Sequence, residues 1–234
     1  DLMSQLTYLL PHLLALSCSS PFWHGEDTGL KSYRLTIFDN LPRTGLPAEF
    51  QSYAEYQRHI QILINAGVME DSTKIWWDIR PSAKYPTLET RIMDVCTRMD
   101  DAISLAALLV STIRMLYRLR IKNQRWREYN PMLIRENRWR AMRYSFDEGL
   151  IDFGIGSIVP FKQLLDEFIE LTFEDAKSLG CESEVAATKD ILSRGTSAHR
   201  QLKAYELSIA AGKNSEDALK DVVDMLISET AEGL

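Results

Sequence analysis

The residues best suited to chemistry concentrate between Lys74 and Asp94. Lys74 to Arg80 alternates Ile75, Trp77 and Ile79 with Trp76, Asp78 and Arg80; Thr87 to Met93 alternates Leu88, Thr90 and Ile92 with Glu89, Arg91 and Met93. Alternation with period two marks extended strands with one apolar face. If the two runs pair as antiparallel neighbours across the loop Pro81 to Pro86, then Asp78, Arg80, Glu89 and Arg91 project from one surface beside Trp76. Carboxylates there can hold a divalent cation, and planar guanidinium groups can clamp phosphate or carboxylate. The spacing alone equally allows a solvated sheet with cross-strand ion pairs. A tryptophan on the charged face favours the wall of a cleft.

Other segments add polar groups. Arg135, Arg138, Arg140 and Arg143 form a basic helix that could hold a triphosphate, with Arg114, Arg118 and Arg120 adding to the field; a solvated helix paired with acidic neighbours is the plainer reading. The stretch Ser19 to Arg34 is dense in polar side chains, Ser20 and Arg34 among them. Arg194 to Arg200 reads as a turn opening a helix, where backbone N–H groups can meet an anion or simply be capped. His24, Glu26 and Asp27 lack the spacing of a metal site, and Gly212 to Ser215 lacks the upstream glycine and strand of a phosphate loop.

The elements that must position these residues follow from periodicity. An apolar helix opens the chain and ends near Ser19 to Pro21; Phe22 to Phe50 reads as a long ordered loop; Glu49 to Ala66 suits a helix closed by Gly67. The two strands come next. From Asp100 the pattern is helical: a deeply buried helix through Leu116, an arginine-rich helix from Pro131 to Tyr144, a hairpin or irregular crossing from Asp147 to Val159, then helices Pro160 to Leu179, Glu182 to Ser193, Ala198 to Ala210 and Ser215 to Ser228. Few strands with segregated helices indicate an α+β fold.

Length and composition bound the alternatives. The 234 residues are 45% hydrophobic and 26% charged, enough for a sizeable core, and the net charge of -6 argues against a nucleic-acid coat or a polybasic membrane binder. Between Arg114 and Arg143, ten basic and two acidic side chains give a local +8 that leaves -14 elsewhere, a basic island suited to an anion. Cys18, Cys96 and Cys181 are unpatterned and read as buried thiols of a reducing, cytoplasmic compartment. Pro11 and His12 interrupt the first apolar segment and Arg114 the one after Ile103, so no membrane segment is expected.

A family resemblance gathers these pieces. Ser19-Ser20-Pro21-Phe22, Asp27-Thr28-Gly29 with Ser32 and Arg34, Trp77-Asp78-Ile79-Arg80-Pro81-Ser82, and Pro86-Thr87-Leu88-Glu89-Thr90-Arg91 with Asp94 resemble, in order and spacing, carboxylate-amine ligases of the glutamate-cysteine ligase type 2 group. Asn137-Arg138-Trp139 with Arg140, Ala141, Arg143 and Tyr144, and Arg194-Gly195-Thr196 with Arg200 and Gln201, extend the likeness. The resemblance implies the C-terminal part of a glutamine-synthetase-like fold, with an antiparallel sheet forming an active-site funnel and helices outside. Residues 1–95 would carry the active-site loop and hairpin, and 96–234 the mainly helical remainder, of a single catalytic domain.

It further implies ATP-dependent formation of a γ-glutamyl amide through an acyl phosphate, with Mg2+ or Mn2+ as cofactor. Glutamate and an amine such as cysteine would be the substrates. Glu89 would be a metal ligand, Arg80 and Arg91 catalytic anion clamps, and Ser20, Arg34 and Asp78 substrate contacts; Arg140, Arg143 and Arg194 would meet the nucleotide phosphates. The group's Glu-rich first strand and later His-containing strand have no counterpart after Asp1, so the expectation is that an N-terminal portion, as a second chain or a lost segment, is needed for activity. A homo-oligomer is compatible with this picture; nucleic acid and membrane partners are not expected. The alternative is a non-catalytic module of the same fold that binds nucleotide or amino acid, or scaffolds a partner.

Overall fold

The computed structural model describes residues 1–232 of the chain and shows a mixed α and β architecture, mostly helical with small sheets. The opening apolar run is two helices, α1 (Leu2–Thr7) and α2 (Leu10–Ser17), rather than one. Pro11 explains the break: lacking an N–H, it sits in the first turn of α2, where no intrahelical partner is required. Every residue of α2 is buried, and Leu6, Leu10, Leu13, Leu14 and Leu16 form the centre of the main core.

The expected long loop contains more structure than its composition suggests. It holds the hairpin β1 (Phe22–Trp23) and β2 (Glu26–Asp27), the short helix α3 (Arg34–Asp39) and the strand β3 (Thr44–Gly45). Helix α4 (Tyr53–Asn65) follows, capped by Ser52, whose side chain accepts from the Glu55 N–H. It packs with Met69 and Ile75 in a second, smaller core.

The expected strand Lys74 to Arg80 is divided at Asp78. β4 (Trp76–Trp77) pairs in parallel with β3, and β5 (Ile79–Pro81) pairs antiparallel with β6 (Leu88–Thr90) in the register Ile79 to Thr90, Arg80 to Glu89 and Pro81 to Leu88. Asp78 sits at the switch: its N–H donates to the Gly45 carbonyl at 2.7 Å, and its carbonyl accepts from Arg91 and Ile92 at 2.7 and 3.2 Å. Among the described residues the strands form four separate two-stranded sheets, so the broad antiparallel funnel is not seen in this chain.

The helical remainder follows the periodicity in its boundaries, but the helix after Asp100, expected to be deeply buried, keeps one face exposed at Ile103, Val110 and Tyr117. This part of the chain comprises α5 (Met99–Ile121), α6 (Pro131–Tyr144), the hairpin β7 (Leu150–Asp152) and β8 (Ser157–Val159), α7 (Phe161–Leu179), α8 (Glu182–Arg194), α9 (Ser197–Ala210) and α10 (Ser215–Ala231). α5 packs against α7 and α8, α2 against α6, and α9 against α10. By length and composition α5 could cross a bilayer, yet one of its faces is part of this helical core. Of the three thiols expected inside, Cys18 is fully buried and Cys96 and Cys181 are half-buried.

Two features of the packing have measurable consequences. Gly149 enters the β7 hairpin with φ of +64°, and a Cβ there would fall 2.2 Å from the Val159 carbonyl oxygen. Gly149→Ala should therefore lower stability by about 2–3 kcal/mol in denaturant titration, combining backbone strain with a backbone clash.

His12 is the second. It is buried among Tyr8, Phe161 and Phe168, and its Nδ1 has no hydrogen-bond partner. Burial pushes its pKa from 6.5 down to about 4. As pH falls through that window the unfolded chain takes up a proton that the folded chain resists, so stability is complete above pH 6.5 and declines toward pH 4 by about 3 kcal/mol. Unfolding titrations of His12→Phe at the two pH values should lose this part of the slope.

Candidate anion-binding site

Asp94, rather than a residue of the expected set, is the organising centre of the site. It is buried at the end of the second strand segment. Its Oδ2 accepts from the Ser19 N–H and the Ser20 hydroxyl, each at 2.9 Å, and its Oδ1 accepts from the Ser32 hydroxyl at 3.0 Å and Arg34 Nε at 2.6 Å. Arg34 Nη2 reaches on to the carbonyls of Arg91, Ile92 and Met93 at 3.0, 2.8 and 2.8 Å. Ser20 and Arg34, widely separated from the hairpin in sequence, are thus fastened to its exit. The start of α9 braces the same segment, with the Ala198 N–H on the Cys18 carbonyl and Gln201 Nε2 on the Ser19 carbonyl, both at 2.9 Å.

The hairpin carries two charge networks rather than one stripe. Across the antiparallel register, Arg80 Nε and Nη2 meet Glu89 Oε2 at 3.1 and 2.8 Å, while its Nη1 donates to the Thr73 and Ile75 carbonyls at 2.7 and 2.5 Å. Arg91 Nη1 pairs with the other Glu89 oxygen. Burial works to raise the Glu89 carboxyl, but the hydrogen bonds and charges of Arg80 and Arg91 outweigh it and hold the group below the usual glutamate value.

Asp78 belongs to the second network. It is 3% exposed, and its Oδ2 and Oδ1 lie 2.7 and 3.2 Å from Arg138 Nε and Nη2. Arg138 also forks onto Asp39, with Nη1 and Nη2 at 2.8 and 2.9 Å from the two oxygens. Burial opposes its charge, but the two carboxylates prevail and hold its guanidinium above the usual arginine value. The expectation that Asp78, Arg80, Glu89 and Arg91 form one face is corrected in this respect: the chain changes partner strand at Asp78, and its carboxylate turns to α6.

The two networks meet at a small pocket lined by Arg34, Leu35, Phe38, Gly45, Trp76, Asp78, Arg91 and Arg138. It has room for about one water molecule, roughly 10 Å³. Trp76 lines it, but a space of this size is not the cleft that the charged face was expected to wall. Glu89 and Asp94 hold Arg91 and Arg34 by one edge each, and each guanidinium keeps N–H groups without a protein partner among the described residues. A preorganised guanidinium with spare donors suits a carboxylate or a phosphate oxygen. A roomier cavity of about 650 Å³ lies elsewhere, against Tyr8, His12, Trp126, Tyr129 and Phe168, and none of the expected site residues lines it. Its arginine donors make the smaller pocket the candidate anion site.

The remaining expected residues are dispersed. Arg140 donates to the carbonyls of Gly149 and Glu148 at 3.2 and 2.6 Å and lies over the Tyr144 ring. Arg143 flanks the same ring and packs against Gly29. Arg194 pairs with Asp101. Much of the basic island is neutralised within the fold, Arg114 and Arg118 by Asp175 and Arg120 by Asp1. Asp94 was visible in the sequence only as part of a motif, and Arg138 only as one arginine of a basic helix suited to phosphate, not as the partner of Asp78. The signal for Arg138 was present: Ile134, Asn137, Arg138 and Ala141 fall on one helical face, and all four are buried.

The fit to a divalent cation is poor in this chain. No group of three metal-ligating side chains occurs among the described residues, and Glu89, Asp78 and Asp94 are each engaged by guanidinium groups. Glu89 by itself does not make a metal centre.

Comparison with known proteins agrees with the resemblance carried by the motifs. The profile of glutamate-cysteine ligase family 2 matches residues 1–225. A protein of Rhodospirillum rubrum named "Putative glutamate--cysteine ligase 2" is 60% identical over 230 residues, covering 98% of this chain and 59% of that protein. Proteins of the same name from a Jannaschia species and from Solibacter usitatus are 57% and 43% identical, covering 98% and 100% of this chain and 60% and 59% of theirs. The chain therefore spans less than two thirds of the length of these relatives.

Proposed function

The chain belongs to glutamate-cysteine ligase family 2, and from that premise we propose that it contributes the anion-holding part of an ATP-dependent carboxylate-amine ligase. The proposed reaction activates the γ-carboxylate of glutamate by transfer of a phosphoryl group from ATP, then forms the amide bond by attack of an amine such as cysteine, with loss of phosphate. The observation that carries this reading is the pair Arg34 and Arg91, each anchored by a carboxylate and each with spare donors at one pocket.

The residues divide the work unequally. Arg91, held by Glu89, would contact a substrate carboxylate or transferring phosphoryl oxygen, where negative charge accumulates during reaction. Arg34, held by Asp94, would make a second contact from across the pocket. Arg80 and Ser20 act through others in this reading, because their polar groups are already engaged with Glu89 and Asp94. Arg138 and Asp78 fix the pocket floor. Arg140, Arg143 and Arg194, dispersed and engaged with Gly149, Tyr144 and Asp101, take no part in this pocket. Mg2+ or Mn2+ enters only as the nucleotide's counter-ion.

A second reading, a binding module without turnover, is favoured by the full engagement of the hairpin carboxylates. ADP release measured with glutamate, with and without cysteine, separates the two. Release that requires both amino acids supports the ligase; nucleotide binding without amine-dependent release, in a preparation that includes the rest of the relatives' length, supports the module.

A further inference from the structure

Between α6 and β7 the chain reverses in a turn with a costly backbone. Ser145 takes φ of +54° and ψ of -120°, a conformation that glycine ordinarily supplies at the first corner of a type II′ turn. The Asp147 N–H closes the turn on the Tyr144 carbonyl at 3.0 Å. Ser145 is fully buried; its N–H donates to the Ala141 carbonyl at 2.9 Å and its hydroxyl to the Ala15 carbonyl, so the surrounding structure holds the strain. What the strained turn delivers is the Asp147 carboxylate.

Asp147 meets His199 in the first turn of α9. His199 Nε2 lies 3.0 Å from Asp147 Oδ1, and Lys31 Nζ lies 3.8 Å from Oδ2. At the other edge of the ring, Nδ1 lies 3.1 Å from the Thr196 backbone nitrogen and 2.7 Å from the Thr196 hydroxyl, completing a reciprocal cap at the helix start. A backbone N–H can only donate, so Nδ1 accepts and the ring proton sits on Nε2, facing the carboxylate. Phe146 stacks on the ring at 4.5 Å and 16°, and Gly195 leaves space for it, since a Cβ there would fall 2.9 Å from His199 Cβ. Both edges and one face of the imidazole are therefore fixed.

We propose that neutral His199 is a positioning residue for the anion pocket, joining the turn after α6 to α9 so that α9 holds Ser19 and Ser20 against Asp94. The inference rests on the reading of Arg34 and Arg91 as anion holders. The path is short. The Ala198 N–H and the Gln201 side chain, on either side of His199 in sequence, hold the Cys18 and Ser19 carbonyls. The Ser19 N–H and Ser20 hydroxyl in turn donate to Asp94, which holds Arg34. Asp147 also reaches Lys31, whose N–H shares the Met142 carbonyl with that of Ser32, another donor to Asp94. His199 does not line the pocket and acts through these contacts.

Hydrogen exchange at the Ser19 amide, followed by NMR in the full chain alongside isothermal titration with ATP, tests it. His199→Gln keeps an acceptor for the Thr196 N–H and a donor for Asp147, whereas His199→Glu keeps the cap but sets a second carboxylate against Asp147. His199→Ala and His199→Glu should each lower Ser19 protection and ATP affinity by about tenfold, the loss of one cap or one hydrogen bond to a charged group. His199→Gln should restore both to within about twofold of the wild type. Nitrogen chemical shifts of the wild-type ring should place its proton on Nε2 at neutral pH. Unchanged Ser19 protection in His199→Ala, equal behaviour of His199→Glu and His199→Gln, or a proton on Nδ1 would overturn the proposal. A wild type whose variants follow the expected order of protection, but which does not bind ATP, would uphold the positioning and overturn the anion reading instead.

Discussion

Arg138→Ala should destabilise the protein by about 3–5 kcal/mol, because it leaves the Asp78 carboxylate buried without its counter-ion. Asp78 is 3% exposed, so water cannot replace the lost guanidinium without opening the pocket floor. Asp39 would be freed as well, but its side chain is more than one-third exposed and can be rehydrated at little cost. The asymmetry makes a sharp test. Replacing both partners, as Asp78→Asn with Arg138→Met, should recover much of the loss, since a buried pair exchanged for well-fitting neutral groups costs far less than one stranded charge. Denaturant midpoints at constant slope measure both variants. A single substitution costing under about 1 kcal/mol would mean that the pair does not secure α6 to the strand switch.

The second large effect is expected at Asp94. Asp94→Ala removes the common acceptor of Ser19, Ser20, Ser32 and Arg34, and should cost about 3–5 kcal/mol, since hydrogen bonds to a charged group are among the stronger ones and their donors are left unpaired. Asp94→Asn keeps the shape and one acceptor oxygen but points an N–H2 group at donors, so an intermediate loss is expected. The two variants should also differ in function. Releasing Arg34 from Asp94 frees its side chain to leave the pocket, so anion affinity should fall more in Asp94→Ala than stability alone explains at temperatures where the variant is folded. Equal unfolding midpoints for wild type and Asp94→Ala would remove Asp94 from the centre of the site.

Legibility in the sequence followed the range of the interaction. Helices α6 to α10 were readable because their apolar positions repeat locally and Pro131, Gly180, Gly195 and Gly212 punctuate them. That Arg80 and Glu89 share a face was readable because period-two alternation fixes which side chains lie together, while the register that pairs them came from the structure. The strand switch at Asp78 was not, since it depends on β3, a two-residue strand within a segment whose composition indicates only turns. Without the switch, Asp78 appears to belong with Arg80, whereas its partner is Arg138, 60 residues later.

The candidate site shows the same division. Residue types suited to anions were evident along the hairpin, but alternation cannot reveal that Glu89 is shared by two arginines or that Asp94 gathers donors from 60 to 75 residues away. Local charge density was a poor guide by itself. Arg114 and Arg118 belong to the basic island and are neutralised by Asp175 on α7, in line with the plainer reading of paired charges. Family motifs brought Asp94 into view without a role, and Arg138 only as part of a basic helix for phosphate; long-range geometry ties Arg138 to Asp78 and makes Asp94 an acceptor for four donors.

The most direct measurement for the account is the affinity of ATP, followed by isothermal titration, for wild type and Arg91→Met. Methionine preserves much of the aliphatic stem and removes the spare donors, while Glu89 remains paired with Arg80. The account predicts binding by the wild type, at least a tenfold weaker affinity for Arg91→Met, as expected for loss of a charge-assisted contact, and little change in unfolding midpoint. Equal nucleotide affinity in the two proteins, with the substitution altering stability instead, would contradict it and reduce the hairpin to a salt-bridged scaffold.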